Sequence, residues 1–303
     1  MNEKQNKRFM NLIRQVHGLL ENTNLQKQRD SQRQLGALLS SNKLYQFTGF
    51  YVNNLYCEWT NYLPKSAKPS SCENIILYCH GGGYMTGSSI YAREITTKLA
   101  KQTSLRILCF DYRLAPEFPY PAAIEDAFTI WNYITSCGYS ANNIIIAGDS
   151  AGGNLSLVLL NILKEKLLPM PKCAILFSPW TDMTVSAETY STKESLDPVL
   201  NTTYIKKAIQ NYLKGQDCTS PNVSPLFADL HQFPPIYIQV GENEILLDDS
   251  RQLYKKLLSQ NVYAKLDIFE NMWHVFQMSP IKKAKDAMDN ISMFLNEIES
   301  INK

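Results

Sequence analysis

Five apolar runs without internal alternation constrain this chain more than any other feature: IILYC (75–79), LRILCF (105–110), IIIAG (144–148), CAILFS (173–178) and IYIQV (236–240). A strand with one wet face alternates apolar and polar residues, whereas a strand covered on both faces reads as a continuous apolar run. Segments of helical length lie between them, at 89–102, 122–136, 151–166 and 248–259. A sixth run, KLDIFE (265–270), precedes a last helix near 281–298. Repeated strand–helix alternation implies an α/β fold, a parallel sheet with helices on both faces. Ahead of it, from about residue 44, FTGFYV and LYCEWTNYL are strand-like runs whose alternation suits an antiparallel pair at a sheet edge.

Two segments stand outside this rhythm. In the N-terminal segment Phe9, Leu12, Ile13, Val16, Leu19 and Leu20 recur at helical spacing, and the stripe is expected to pack on the main domain. Residues 183–225 are too long for an ordinary connection and contain their own amphipathic helix, with Tyr204, Ile205, Ala208, Ile209 and Tyr212 on one stripe. They read as an insertion over the functional edge of the sheet. A length of 303 residues suits one α/β domain with such an elaboration.

Composition narrows the partners. The 30 basic and 28 acidic side chains nearly cancel, with no sustained run of one sign, so nothing suggests a nucleic-acid groove. The seven cysteines (Cys57, Cys72, Cys79, Cys109, Cys137, Cys173, Cys218) are scattered without a C-x-x-C pair. They read as small core hydrophobes in a reducing compartment, not as disulfides or metal ligands. Arg14, Gln15 and His17 interrupt any signal-peptide core, and the longest candidate span, Leu155–Leu160, gives way to Asn161. A soluble, cytoplasmic protein without stable membrane insertion is expected.

In sheets of this kind catalytic groups gather beyond the carboxyl ends of the strands. After IIIAG comes Asp149-Ser150-Ala151-Gly152-Gly153, a G-x-S-x-G turn between strand and helix. Such a turn strains the serine and exposes its hydroxyl at a helix N-terminus, which marks Ser150 as a nucleophile. A hydroxyl needs a base. Of the four histidines, His17 is expected on the surface of the N-terminal helix, His80 to shape a glycine loop, and His231 in a polar loop. His274 follows the last strand, the place of the base in the chain order Ser, acid, His. The orienting carboxylate follows IYIQV, where Glu242, Glu244, Asp248 and Asp249 are available. Glu244 is favoured and Asp248 is the alternative, since Asp248 and Asp249 open a helix as caps. Gly81-Gly82-Gly83, after IILYC, supplies backbone that can approach a ligand, and the N–H of Ala151 would complete an oxyanion hole.

These residues resemble the hormone-sensitive lipase family of α/β-hydrolases. The resemblance rests on His80-Gly81-Gly82-Gly83-Tyr84, Asp111-Tyr112-Arg113-Leu114-Ala115-Pro116-Glu117, Gly148-Asp149-Ser150-Ala151-Gly152-Gly153-Asn154 and Trp273-His274-Val275-Phe276, in family order. It implies a mostly parallel eight-stranded sheet with a helical cap. Residues 1–45 would be an N-terminal cap segment, 46–182 the first part of the core, 183–225 the cap insertion and 226–303 the rest of the core. It further implies Ser150 as nucleophile, His274 as base, and Gly81, Gly82 and Ala151 as oxyanion hole. Tyr84 and Asp149 are assigned to the substrate pocket, and the Asp111–Glu117 stretch to structural support. The family's acid opens an Asp-Pro-Leu-x-Asp run; here the aligned residues are Glu244-Ile245-Leu246-Leu247-Asp248.

The expected activity is serine carboxylic-ester hydrolysis on small to medium acyl esters, through an acyl-enzyme, without cofactor or metal. The same triad could serve an amidase, a deacetylase or an acyltransferase. A non-catalytic ligand-binding protein on this scaffold is a further alternative. The partner is a small-molecule ester, and a homodimer is compatible with this reading.

Overall fold

The computed structural model describes residues 3–21, 23–39, 42–65 and 74–301. Eight strands form one sheet in the order β1-β2-β4-β3-β5-β6-β7-β8. Strands β1 (Tyr45–Val52) and β2 (Leu55–Tyr62) pair antiparallel at one edge, and β2 is also antiparallel to β4 (Arg106–Phe110). Strands β3 (Ile75–Cys79), β5 (Ile144–Asp149), β6 (Cys173–Phe177), β7 (Ile236–Gly241) and β8 (Ala264–Phe269) complete the parallel part.

The apolar runs are unbroken because alternate residues enter two different cores. On β3, Ile75, Leu77 and Cys79 face one core while Ile76 and Tyr78 face the other. On β5, Ile144 and Ile146 oppose Ile145 and Ala147 in the same way. The first core is covered by α4 (Ala122–Ser136), α5 (Ala151–Glu165) and α8 (Leu247–Ser259), the second by α3 (Ser89–Thr103) and α9 (Lys282–Ile301). Burying each large aliphatic side chain contributes roughly 1.5–3 kcal/mol, so both faces of the central strands resist polar substitution.

Helices α1 (Glu3–Glu21) and α2 (Leu25–Leu39) precede the sheet. The α1 stripe packs only in part. Phe9 lies 5.7 Å from the Trp273 ring, and Met10 and Ile13 join the same cluster, but Leu12, Val16 and Leu19 are exposed. The side chain of Leu20 lies outside the described residues. The stripe is divided because α1 lies over the mouth of a cavity, which Ile13 and Val16 help to line, instead of over a closed core. Between β6 and β7, α6 (Thr189–Thr192) and α7 (Thr202–Leu213) carry the insertion, and Ile205, Ala208 and Tyr212 bury its apolar stripe. Asn201 caps α7 by accepting the Tyr204 N–H at 2.7 Å.

Among the described cysteines Cys57, Cys79, Cys109 and Cys173 are buried and unpaired, as small hydrophobes would be. Cys137 is exposed at the end of α4 and Cys218 half-buried, so these two are not core residues; Cys72 lies outside the described residues. No described helix is long and apolar enough to cross a membrane.

Candidate active site

After β3 the chain adds β4 on one side and then returns to place β5 on the other. The order therefore reverses around β3, and the loops leaving β3 and β5 diverge to leave a crevice at their carboxyl ends. Ser150 stands there, between β5 and α5, at φ 54° and ψ −119°. Positive φ costs a residue with a Cβ about 1–3 kcal/mol, and the neighbouring structure holds it. Its N–H donates to Phe177 O (2.9 Å), and its carbonyl accepts the N–H groups of Asn154 and Trp180 (both 3.1 Å). The helix can start this close to β3 only because Gly152 lacks a side chain: a Cβ there would lie 2.0 Å from the Cys79 carbonyl oxygen.

The loops after β7 and β8 are tied to each other, Glu242 N–H to Phe269 O (3.0 Å) and Asn243 N–H to Met272 O (2.8 Å). This brings Glu244 Oε2 within 2.8 Å of His274 Nδ1. Both side chains are buried. The other oxygen, Oε1, accepts from Ser178 Oγ (2.8 Å) and the Gly241 N–H (2.5 Å). Asp248 is directed instead to Arg251, and Asp249 accepts the N–H groups of Thr181 and Asp182 (2.7 and 3.0 Å). Asp249 is no exposed cap; burial pushes its carboxyl up to about 7 against those two donors. Glu242 accepts the Asn271 N–H at the surface.

Ser150, His274, Gly82 and Gly83 line one cavity of about 310 Å³, together with residues of α1 and α2. An open depression of about 710 Å³ beside the end of α7 shares none of its residues. The glycine loop differs from expectation in one respect. The Gly81 N–H donates to Asp149 Oδ1 (3.0 Å), which also accepts the Tyr78 hydroxyl (2.7 Å), so Gly81 has no donor left for a ligand. The N–H groups of Gly82 and Gly83 have no acceptor among the described residues. Gly82 sits at φ +116°, and a Cβ on it would meet the Thr86 carbonyl oxygen at 2.3 Å. The Asp149 side chain thus braces the loop beside the cavity it lines, and burial pushes its carboxyl up to about 6 despite both donors.

Tyr84, assigned to the pocket from the sequence, is fully buried away from it. Its ring stacks on Tyr212 of α7 (centroids 3.9 Å apart, 2° between planes) and its hydroxyl donates to Asn154 Oδ1 (2.6 Å). An aromatic ring with one polar tip is stable there, since the ring joins the core and the hydroxyl finds an acceptor.

Residues 76–278 match a family described by its alpha/beta hydrolase fold. An esterase of Acinetobacter venetianus is 36% identical over 233 residues, covering 76% of this chain and 77% of that protein. An acetyl-hydrolase of Streptomyces hygroscopicus is 33% identical over 66% of this chain and 67% of its own length. The crystal structure of an esterase from the bacterial hormone-sensitive lipase family superposes with a TM-score of 0.89 at 31% identity, covering 98% of this chain and 99% of that one. The chain belongs to the hormone-sensitive lipase family of α/β-hydrolases. It is a carboxylesterase.

In this hormone-sensitive lipase family member the Asp111–Glu117 stretch underlies the glycine loop. Tyr112 stacks on His80 (4.1 Å) and donates its hydroxyl to His80 O (2.7 Å), the Ala115 N–H donates to Tyr84 O (2.8 Å), and Asp111 accepts the Ser89 N–H (2.6 Å). His80 shapes the loop as expected, its Nδ1 lying 2.8 Å from Gly81 O, and His231 is exposed beside Asp229. His17, expected on the surface, is half-buried and does not point to bulk solvent. It lines the cavity, and burial plus the neighbouring His274 bring its pKa down to about 4, so it is neutral near pH 7.

Two supporting residues escaped the sequence reading. Ser178 donates to Glu244 and accepts the Val275 N–H (3.2 Å), which ties the loop after β7 to the loop after β8. Its signal is its position directly after β6, as Ser150 stands directly after β5. Asp197, in the insertion, accepts the Ile245 N–H (3.1 Å) next to Glu244. No local signal marks it, because its partner is distant in sequence.

Proposed function

We infer that Ser150 is the nucleophile of a serine esterase that works through an acyl-enzyme, with His274 as base and Glu244 as its orienting acid. The carrying observation is that a strained strand-to-helix serine and an imidazole held by a buried carboxylate open into one cavity. Glu244 is the acceptor for Nδ1–H, which leaves Nε2 unprotonated and able to take the Ser150 proton. Ser150 Oγ then bonds to the carbonyl carbon, and the π pair moves onto oxygen. The N–H groups of Gly82, Gly83 and Ala151 receive that oxyanion; each such donor is worth about 10²–10³ in rate. Collapse breaks the carbon–oxygen bond to the alcohol, which takes the proton from His274. Water, deprotonated by His274, attacks the acyl-enzyme, and the carboxylic acid leaves as Ser150 regains its proton.

The cavity walls contributed by Ile13, Val16, Leu35, Val199 and Leu200 are apolar, and about 310 Å³ lies at the small end of ligand pockets. Both favour short to medium acyl chains, in keeping with the acetyl-hydrolase relative. A series of p-nitrophenyl esters tests this, with a fluorophosphonate probe run alongside. The expected optimum lies at short to medium acyl chains, with one phosphonyl group per chain on Ser150. Turnover of none of these esters, together with no labelling, overturns the reading. An arylamide turned over faster than the matching ester would make the protein an amidase instead.

The pH profile depends on the same geometry. Burial alone would lower the His274 pKa, but the hydrogen bond and charge of Glu244, aided by Asp197 and Asp149, outweigh it and raise the pKa above the ordinary 6.5. The base must be neutral, so kcat/KM is expected to fall about tenfold per pH unit below a midpoint that lies above 6.5. In Glu244→Gln burial remains and the opposing charge is gone, so the midpoint moves to lower pH. Profiles between about pH 5 and 9 read both, and an unmoved midpoint would remove Glu244 from the titration.

A further inference from the structure

Arg29, on α2, holds two separate segments, the limb of the glycine loop at Met85 and the Asp111–Glu117 stretch. Its Nε donates to the Met85 carbonyl (2.8 Å), its Nη2 to the Ala115 carbonyl (2.8 Å), and Nη1 and Nη2 together grip the Glu117 carboxylate (2.9 and 2.8 Å). Its side chain is only 17% exposed, whereas Glu117 is half-exposed. One helical turn on, Gln32 Oε1 accepts the Gly87 N–H (3.1 Å), and Gly36 packs so closely that a Cβ would meet Ile90 O at 2.3 Å. Met85 and Gly87 form the limb of the glycine loop that leads back from Gly82 and Gly83 into α3. Met85 and Thr86 each donate an N–H to Gly82 O (3.0 and 2.9 Å), so a shift of this limb is passed to Gly82 directly.

A loop containing Gly81, Gly82, Gly83 and Gly87 has unusual backbone freedom, and its N–H groups aim correctly only if other elements fix it. We propose that Arg29 is a positioning residue for the ester-hydrolysis step: α2 sets the aim of the Gly82 and Gly83 N–H groups through the guanidinium bound to Met85, Ala115 and Glu117. Arg29 does not touch the substrate cavity and acts through the loop. The inference rests on the oxyanion role of that loop. A planar fork with five donors suits two carbonyls and a carboxylate at once, and an ammonium does not.

The test compares wild type with Arg29→Ala and Arg29→Lys, reading kcat, KM, the inhibition constant of a trifluoromethyl ketone, fluorophosphonate labelling of Ser150, and the thermal midpoint. A trifluoromethyl ketone adds the serine to form an anionic hemiketal, so its affinity reports oxyanion stabilisation. For Arg29→Ala, kcat is expected to drop about 10- to 100-fold with KM changed less than about threefold, and the inhibition constant to weaken in parallel. Arg29→Lys, which keeps charge and bulk, is expected to fold as wild type and to recover only part of the loss. If α2 is merely structural, loss of Arg29 raises KM and lowers the thermal midpoint while kcat and inhibitor affinity for the folded fraction stay; that result overturns the proposal. So does an Arg29→Lys variant with wild-type kcat if Arg29→Ala fails to fold. Failure of the underlying reading looks different: wild type itself then neither hydrolyses esters nor labels at Ser150.

Discussion

Ser150→Ala is expected to lower kcat/KM for a short p-nitrophenyl ester by about 10⁴- to 10⁶-fold while leaving the fold intact. The loss is this large because the proposed acyl-enzyme cannot form without the hydroxyl, and only the cavity and its donors remain to assist water. Stability should separate two inactive variants. Ser150 sits at φ 54°, so alanine inherits the strain and glycine does not. Relief of about 1–3 kcal/mol exceeds the roughly 0.5–1 kcal/mol that glycine loses in backbone entropy. Ser150→Gly should therefore be inactive yet more stable than Ser150→Ala by about 1 kcal/mol, read from denaturant midpoints. Turnover by purified Ser150→Ala above about one per cent of wild type would remove Ser150 from the chemistry.

Glu244→Gln should cost about 10⁴-fold in kcat. Oε1 accepts from Gly241 N–H and Ser178 Oγ, so the amide oxygen of a glutamine will take that side and turn its NH₂ toward His274 Nδ1. Nδ1 must then accept, the ring proton moves to Nε2, and the nitrogen that should take the Ser150 proton is occupied. Asp248→Asn should stay within about twofold, because a partly exposed pair with Arg251 contributes at most about 1 kcal/mol. The reverse order of effects would transfer the acid to Asp248.

The architecture was largely legible in advance for a definite reason. Strands buried on both faces must be apolar throughout, so β3, β5, β6 and β7 appear as runs whose ends fall within a residue or so of the observed ones. The elbow was legible too, since Gly148 and Gly152 flank the serine in a way that few other turns require. The carboxylate that meets His274 was not decided by pattern: Glu244 and Asp248 both come after β7, and only the path from β7 to α8 determines which of them does.

The same limit accounts for Gly81, Tyr84 and His17. Three consecutive glycines are indistinguishable in sequence, and the Gly81 N–H is occupied because Asp149, at the end of the adjacent strand, accepts it. Tyr84 left the pocket because Tyr212, far along the chain, offers its ring a partner. His17 entered the cavity because α1 folds back over His274. Periodicity and turn chemistry act over a few residues and are written locally, so the chain by itself determined its strands, its elbow and the places of Ser150, Glu244 and His274 after successive strands. Which of several equivalent neighbours faces the cavity depends on contacts between segments distant in sequence. The tertiary structure therefore decided which carboxylate meets His274, which glycine N–H groups face no acceptor and how α2 holds the glycine loop.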